Sequence, residues 1–252
     1  MKELEIPLPP LTEQKRIVEI LDDADRLRQL RKKANDRMAA FLPALFLDMF
    51  GDPQTNPKEW PVVTLAEIGD AGQYGLNAAA TKENDGVRFI RITDIDDAGY
   101  LGRAEPAYVP HAIVDGEKYE LQPGDILIAR SGATAGKSYM HRPLKERAVF
   151  AGYLIRFCLN RTRALPIFVA SFLQTAEYWR QLRSHKRAVA QPNVNAKQLG
   201  ALRFPLPPLD LQKKFAALAA DAEVEMQKQS RATVRLEDLF QSLLAQAFSN
   251  HV

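Results

Sequence analysis

The sequence predicts an α+β fold: one mixed α/β domain flanked by two long helices that pair as an antiparallel coiled coil. Three observations carry this. A proline-led segment occurs twice, once near each end of the chain. Each copy leads into a row of apolar residues at alternating three- and four-residue steps. Between the copies lie short apolar runs separated by Gly and Pro, the signature of strands and turns.

The repeat comes first. Ile6-Pro7-Leu8-Pro9-Pro10-Leu11-Thr12-Glu13-Gln14 returns as Phe204-Pro205-Leu206-Pro207-Pro208-Leu209-Asp210-Leu211-Gln212, and the register then holds without a gap. The prolines force an extended lead. Thr12 and Asp210 are the predicted helix caps. The predicted seam on the first helix is Ile17, Ile20, Ala24, Leu27, Ala34, Met38, Phe41 and Leu45, interrupted by Arg31. On the second it is Phe215, Leu218, Ala222, Ala232, Leu236, Leu239 and Leu243, interrupted by Glu225 and Gln229. This is a heptad pattern, and its alternative reading is an ordinary buried helix face. Each helix spans roughly 35 residues, or about 50 Å. Pro43 is expected to kink the first and Gly51-Asp52-Pro53 to stop it.

The domains predicted are 1–52 (extended lead and helix), 53–204 (the α/β domain) and 205–252 (second helix). Within the central domain, Val87 to Ile92 alternates like a half-buried strand. Ile126-Leu127-Ile128 and Gly152 to Phe157 also read as strands, and Pro166 to Leu182 has helical spacing. Ile126-Leu127-Ile128 leads into Arg130-Ser131-Gly132 and Gly136-Lys137-Ser138, which resembles a phosphate-binding loop. That loop is one residue too short, and Tyr139-Met140-His141-Arg142-Pro143 carries no signal for the helix such a loop requires.

Charge is unevenly spread. The net charge is +3, yet residues 126–203 carry 14 basic and 2 acidic side chains, while 53–125 carry 6 and 13. The basic stretch reads either as a solvated face or as a surface for a polyanion. The single cysteine, Cys158, excludes an internal disulfide; it lies in an apolar run and reads as a buried thiol. His111, His141, His185 and His251 lack metal-ligand spacing. Asp94, Asp96 and Asp97 read as a solvated turn rather than a Mg²⁺ site. No run is long enough for a membrane span, and a cytoplasmic location is expected.

In order along the chain, several stretches resemble the specificity (S) subunits of type I restriction–modification systems. These are Pro7-Leu8-Pro9-Pro10-Leu11-Thr12-Glu13-Gln14, Gly51-Asp52-Pro53, Trp60-Pro61, Phe89 to Ile95 and Leu121 to Leu127. Arg130-Ser131-Gly132 to Gly136-Lys137, Gln191-Pro192-Asn193-Val194-Asn195 and the second Pro-Leu-Pro-Pro-Leu complete the set. The resemblance covers nearly the whole chain. It implies a non-catalytic DNA-recognition subunit: the α/β domain is a target recognition domain for half of a bipartite site, and the helices act as a spacer. It also implies docking of a methyltransferase (M) subunit, contact with a restriction (R) subunit, and a role in DNA methylation and phage defence. S-adenosylmethionine, and ATP with Mg²⁺, are expected on those partners, with no cofactor on this chain. Family members usually carry two recognition domains. This sequence shows one, so self-association as a dimer of half-subunits is expected.

Three polar stretches are the candidate double-stranded DNA contacts. The first holds Gln73, Tyr74, Asn77 and Lys82. The second holds Arg130, Ser131, Lys137, Tyr139, His141 and Arg142. The third holds Arg183, Lys186, Arg187, Gln191 and Asn193. Competing functions are a helical scaffold or regulator without DNA binding, and a phosphate-loop NTPase.

Overall fold

The computed structural model describes residues 10–82, 86–102, 104–114, 116–132, 134–186 and 193–249. The helices are α1 (Leu11–Phe50), α2 (Leu65–Ile68), α3 (Pro166–Phe172), α4 (Ala176–Lys186), α5 (Ala196–Gly200) and α6 (Leu209–Ser249). The strands are β1 (Val62–Thr64), β2 (Gln73–Tyr74), β3 (Val87–Ile90), β4 (Tyr108–Val109), β5 (Ile126–Ala129), β6 (Ser138–Met140), β7 (Ala148–Phe150), β8 (Leu154–Phe157) and β9 (Arg203–Pro205). They form two compact units. One comprises residues 43–218, the other residues 1–42 with 219–252.

The larger unit holds all the strands. An antiparallel sheet of order β2-β8-β5-β6 forms its centre. All four residues of β5 are buried, so this strand is covered on both faces, as its unbroken apolar run demands. A second sheet has order β4-β3-β7, with β3 and β7 parallel. β1 and β9 pair separately, Val63 opposite Phe204. This unit reaches past 53–204 at both ends for a packing reason. Phe46 and Phe50 of α1 and Phe215 of α6 meet Phe168 in one aromatic cluster, with ring centroids 5.0–5.9 Å apart.

Two predicted elements are shorter than expected. β3 ends at Ile90, and Ile92–Asp94 turns as a 3₁₀ helix. Its polar residue Arg88 is buried rather than outward-facing, because Asp94 lies 3.7 Å away and the Ala107 carbonyl accepts from Nη1 at 3.0 Å. The helical stretch after Pro166 breaks into α3 and α4 at Thr175, whose hydroxyl accepts from the Tyr178 amide.

The long helices start earlier than their predicted caps. In each copy of the repeat a proline carbonyl receives the first amides. Pro10 accepts from Glu13 and Gln14, and Pro208 from Leu211 and Gln212. Thr12 and Asp210 therefore lie inside the first turn. Pro43 lies within α1, which continues to Phe50. Two downstream side chains satisfy the terminal carbonyls of α1: Lys58 Nζ donates to Met49 (2.8 Å) and Trp60 Nε1 to Phe50 (3.2 Å).

In the helical unit a row at strict four–three spacing is buried or half-buried along α1: Ile17, Leu21, Ala24, Arg28, Arg31, Asn35, Met38 and Leu42. On α6 the matching row is Ala219, Ala222, Met226, Gln229, Thr233, Leu236, Phe240 and Leu243. The predicted seam residues Ala34 and Ala232, beside these rows, are half-buried too. The two rows correct the predicted seam by one residue at several turns. Ile20, Leu27, Phe41, Leu218 and Leu239 are 39, 53, 45, 45 and 54% exposed. Ile17, Met38, Leu45, Phe215, Leu236 and Leu243 are each at least partly buried. The displacement has a physical cause: polar residues occupy the middle of the seam. Arg28 donates twice to Glu237 and lies 4.3 Å from the Phe240 ring, and Asn35 donates to Thr233 at 3.0 Å. These bonds run antiparallel, Arg28 opposite Glu237 and Asn35 opposite Thr233. Choosing the most apolar residue per turn selected the leucines beside this polar layer.

Candidate nucleic-acid interface

Four chain segments converge on one face of the larger unit. β2 places Tyr74 opposite Ile155 of β8. Gly75 then passes so close to the Ala151 carbonyl that any side chain would overlap it. This approach lets Leu76 donate to Phe150 (2.8 Å) and accept from Gly152 (2.9 Å). Asn77 is thereby set beside the Gly152-Tyr153 turn. At the exit of β5, the Arg130 amide donates to the Tyr153 carbonyl (2.9 Å), and the Arg130 carbonyl accepts from Val194 (2.8 Å). Ser131 bridges Asn193. Two of the predicted contact stretches are thus stitched by backbone bonds that join residues far apart in sequence.

Side chains complete the cluster. The Arg130 guanidinium carbon lies 4.8 Å from the Tyr74 ring centroid. The Tyr74 hydroxyl accepts from the Ala196 amide at 3.3 Å, at the start of α5. That helix is held by a reciprocal cap between Asn195 and Gln198 (2.8 and 3.0 Å). Tyr74 and Tyr153 remain 41 and 64% exposed, and Asn77, Asn193 and Asn195 are exposed. Exposed aromatics and amides around an arginine offer stacking faces, donors and acceptors together. Tyr153 and Asn195 were not among the candidates. Their sequence signal was an aromatic after Gly152 and an amide before a short helix.

A second group of candidates gathers on the 95–100 turn. Lys137 Nζ pairs with Asp97 at 2.8 Å and donates to the Ile95 carbonyl at 3.4 Å. The Arg142 guanidinium lies 4.1 Å from the Tyr100 ring centroid. Asp96 accepts from the amides of Ala98 and Tyr100. The expected solvated acidic turn is therefore corrected in part: Asp94 is buried, between Arg88 at 3.7 Å and Arg91 at 2.8 Å. Lys82 stands elsewhere, paired with Glu105 at 2.8 Å. Hydrogen bonding to that carboxylate raises its pKa, and both groups are exposed.

Burial removes two residues from the set, and internal hydrogen bonding engages a third. Tyr139 and His141 are buried, 3.2 Å apart from hydroxyl to Nδ1, and cannot reach a base edge. Their burial raises the Tyr139 pKa and lowers that of His141. Gln73 accepts from Arg156 and donates to the Lys118 carbonyl (2.9 Å), so its amide is used inside the fold. Cross-strand pairing explains the placement of two of them, with Tyr139 opposite Leu127 and Gln73 opposite Arg156. Arg183 is exposed on α4. The Lys186 side chain, Arg187 and Gln191 lie outside the described residues.

The phosphate-loop likeness dissolves in the geometry. Residues 130–137 connect β5 to β6 as a hairpin, closed by Ala129 to Lys137 and Gly136 to Ala129 bonds of 2.8 Å each. The strand β6 follows, so the loop does not lead into a helix N-terminus as a phosphate-binding loop does. Gly136 has φ +99°, and a side chain there would collide with Leu182 and Trp179 of α4. Cys158 is exposed, in contrast to the expected buried thiol. Partial burial and the neighbouring Asp125 push its pKa up to about 12. Among the described residues, no helix is long and apolar enough to cross a membrane.

Comparison with known proteins agrees with this architecture. The chain is 26% identical to the MjaVIII specificity subunit of Methanocaldococcus jannaschii, over 84% of this chain and 54% of that protein. It is 25% identical to the StySPI specificity subunit of Salmonella potsdam, over 97% and 57%. The chain therefore spans little more than half the length of these curated relatives. Its fold matches the HsdS subunit from Thermoanaerobacter tengcongensis with a TM-score of 0.54 at 22% identity, over 98% of this chain and 61% of that one. The type I restriction modification DNA specificity domain matches residues 1–38 and 57–230. With most of its length inside that match, and with the repeat, long helices and intervening α/β unit in place, the chain belongs to the type I restriction modification DNA specificity family.

Proposed function

We propose that this chain is the DNA-recognition part of a type I restriction–modification complex, and that its larger unit reads one half of a bipartite double-stranded site. The observation that carries this reading is the convergence of residues 73–77, 130–132, 152–153 and 193–196 on one face. The excess of 14 basic over 2 acidic side chains in residues 126–203 supports it. Base readout falls to Asn77, Arg130, Ser131 and Asn193. Lys137, Arg142, Arg183 and Lys186 supply phosphate contacts, with Asp97, itself 93% exposed, yielding Lys137 to a phosphate.

The helical unit serves assembly as an antiparallel coiled coil. Its exposed apolar flank, with Ile20, Leu27 and Leu239, supports docking of an M subunit and self-association of two half-subunits. Catalysis, S-adenosylmethionine and ATP with Mg²⁺ belong to the M and R partners. The test is methylome sequencing of cells co-expressing the chain with an M subunit of its system. A split, palindromic methylated motif is the expected result, and no new methylation would reject the reading.

A further inference from the structure

The Arg130–Tyr74 pair has properties that ordinary surface contacts do not explain. Arginines on a protein surface are usually mobile, and fixing one loses side-chain entropy. Here the fixing is done before any ligand arrives. Both backbone groups of Arg130 are bonded, to Tyr153 and Val194. Its guanidinium lies over the Tyr74 ring at 4.8 Å. The ring is itself held at both ends, by β2 pairing at one and by the Ala196 amide on its hydroxyl at the other. Nε of Arg130 is buried without a hydrogen-bond partner. A buried donor left unpaired is costly, and the backbone bonds and the Tyr74 ring hold the guanidinium in place against that cost.

The geometry points to Arg130 as the residue that reads a guanine, through the planar fork that matches O6 and N7, with Tyr74 as its positioning residue. We infer this on the basis of the DNA-recognition function proposed above. Tyr74 acts as a flat splint: it holds the guanidinium plane in the orientation a base edge requires, so little freedom is lost on binding. Lysine cannot replace arginine here, because an ammonium neither stacks as a plane nor offers two parallel donors. Arg130 therefore determines one position of the half-site, whereas Lys137 and Arg142, which flank β6 and pack on the 95–100 turn, act on all sequences alike.

The experiment is methylome sequencing of the full chain with an M subunit, comparing wild type with Arg130→Lys, Tyr74→Leu and Tyr74→Phe. Circular dichroism and thermal melting verify that each variant is folded. Wild type gives a motif with a guanine in the half-site. Arg130→Lys keeps the charge but lowers discrimination at that guanine by about ten- to a hundredfold, leaving the other positions intact. Tyr74→Leu relaxes the same position, and Tyr74→Phe, which keeps the ring, preserves it. An unchanged motif with Arg130→Lys, or relaxation at different positions by the Arg130 and Tyr74 variants, overturns the assignment while the recognition function stands. Absence of methylation with wild type removes that function itself.

Discussion

Arg28 of α1 and Glu237 of α6 meet in a two-bond fork, Nε to Oε2 at 3.0 Å and Nη2 to Oε1 at 3.2 Å. The pair sits in the polar middle of the seam, beside Asn35 and Thr233. Both side chains remain partly exposed, so the fork is weak in energy but specific in position. It fixes which turns of the two helices face each other, as a polar residue in a helix seam does. A double-mutant cycle with Arg28→Ala and Glu237→Ala should give a coupling of at most about 1 kcal/mol. In 1 M salt the Coulombic part of that coupling should fade, as thermal denaturation would show.

Gln212 contributes more. Its side chain is fully buried, accepts from the Leu165 amide (2.8 Å) and donates to the carbonyls of Arg163 (3.2 Å) and Pro207 (2.8 Å). Gln212→Ala strands all three backbone groups and should cost about 3 kcal/mol in urea denaturation. Gln212→Glu should be nearly as harmful, because a carboxylate cannot donate to the two carbonyls.

Gly136→Ala tests the hairpin that carries the second candidate stretch. The residue has φ +99°, and a methyl group would strike Leu182 and Trp179. Strain of roughly 1–3 kcal/mol is expected from the backbone alone, with the overlap added. Denaturation should report the loss of stability. DNA affinity should fall as the loop is displaced from α4.

Acid should destabilise the larger unit through His141. Burial lowers its pKa, with Asp125 opposing in part. The unfolded chain therefore takes up a proton that the folded one resists. The stabilising difference is fully present above the unfolded value of about 6.5 and is lost as pH falls through the lower folded value. Melting temperature should drop between pH 7 and pH 5, and His141→Gln should show a shallower drop. An equal slope in both proteins would remove His141 as the cause.

Much of the architecture was legible locally. Proline placement, heptad spacing and short apolar runs are properties of neighbouring residues, so the helices, β5 and β8 could be placed before any coordinates. The repeat likewise announced two equivalent helix starts, although a proline carbonyl, not Thr12 or Asp210, receives their first amides. The seam was only half legible. Its register depends on what the facing helix offers, and Arg28 counts as a seam residue only because Glu237 and Phe240 receive it.

The candidate site divides the same way. Its polar, basic character was visible in composition, and Arg130, Tyr74 and Asn193 were named from it. Which candidates share a face was not visible, because strand pairing and bonds between residues far apart in sequence set that. Pairing across β2, β8, β5 and β6 set Tyr139 against Leu127 and drew Gln73 to Arg156, while Tyr153 and Asn195 joined the cluster. The sequence by itself determined the kinds of element, their order and the chemistry available. Only the tertiary structure decided which of those groups meet, since burial and pairing are fixed by residues that the chain brings together from a distance.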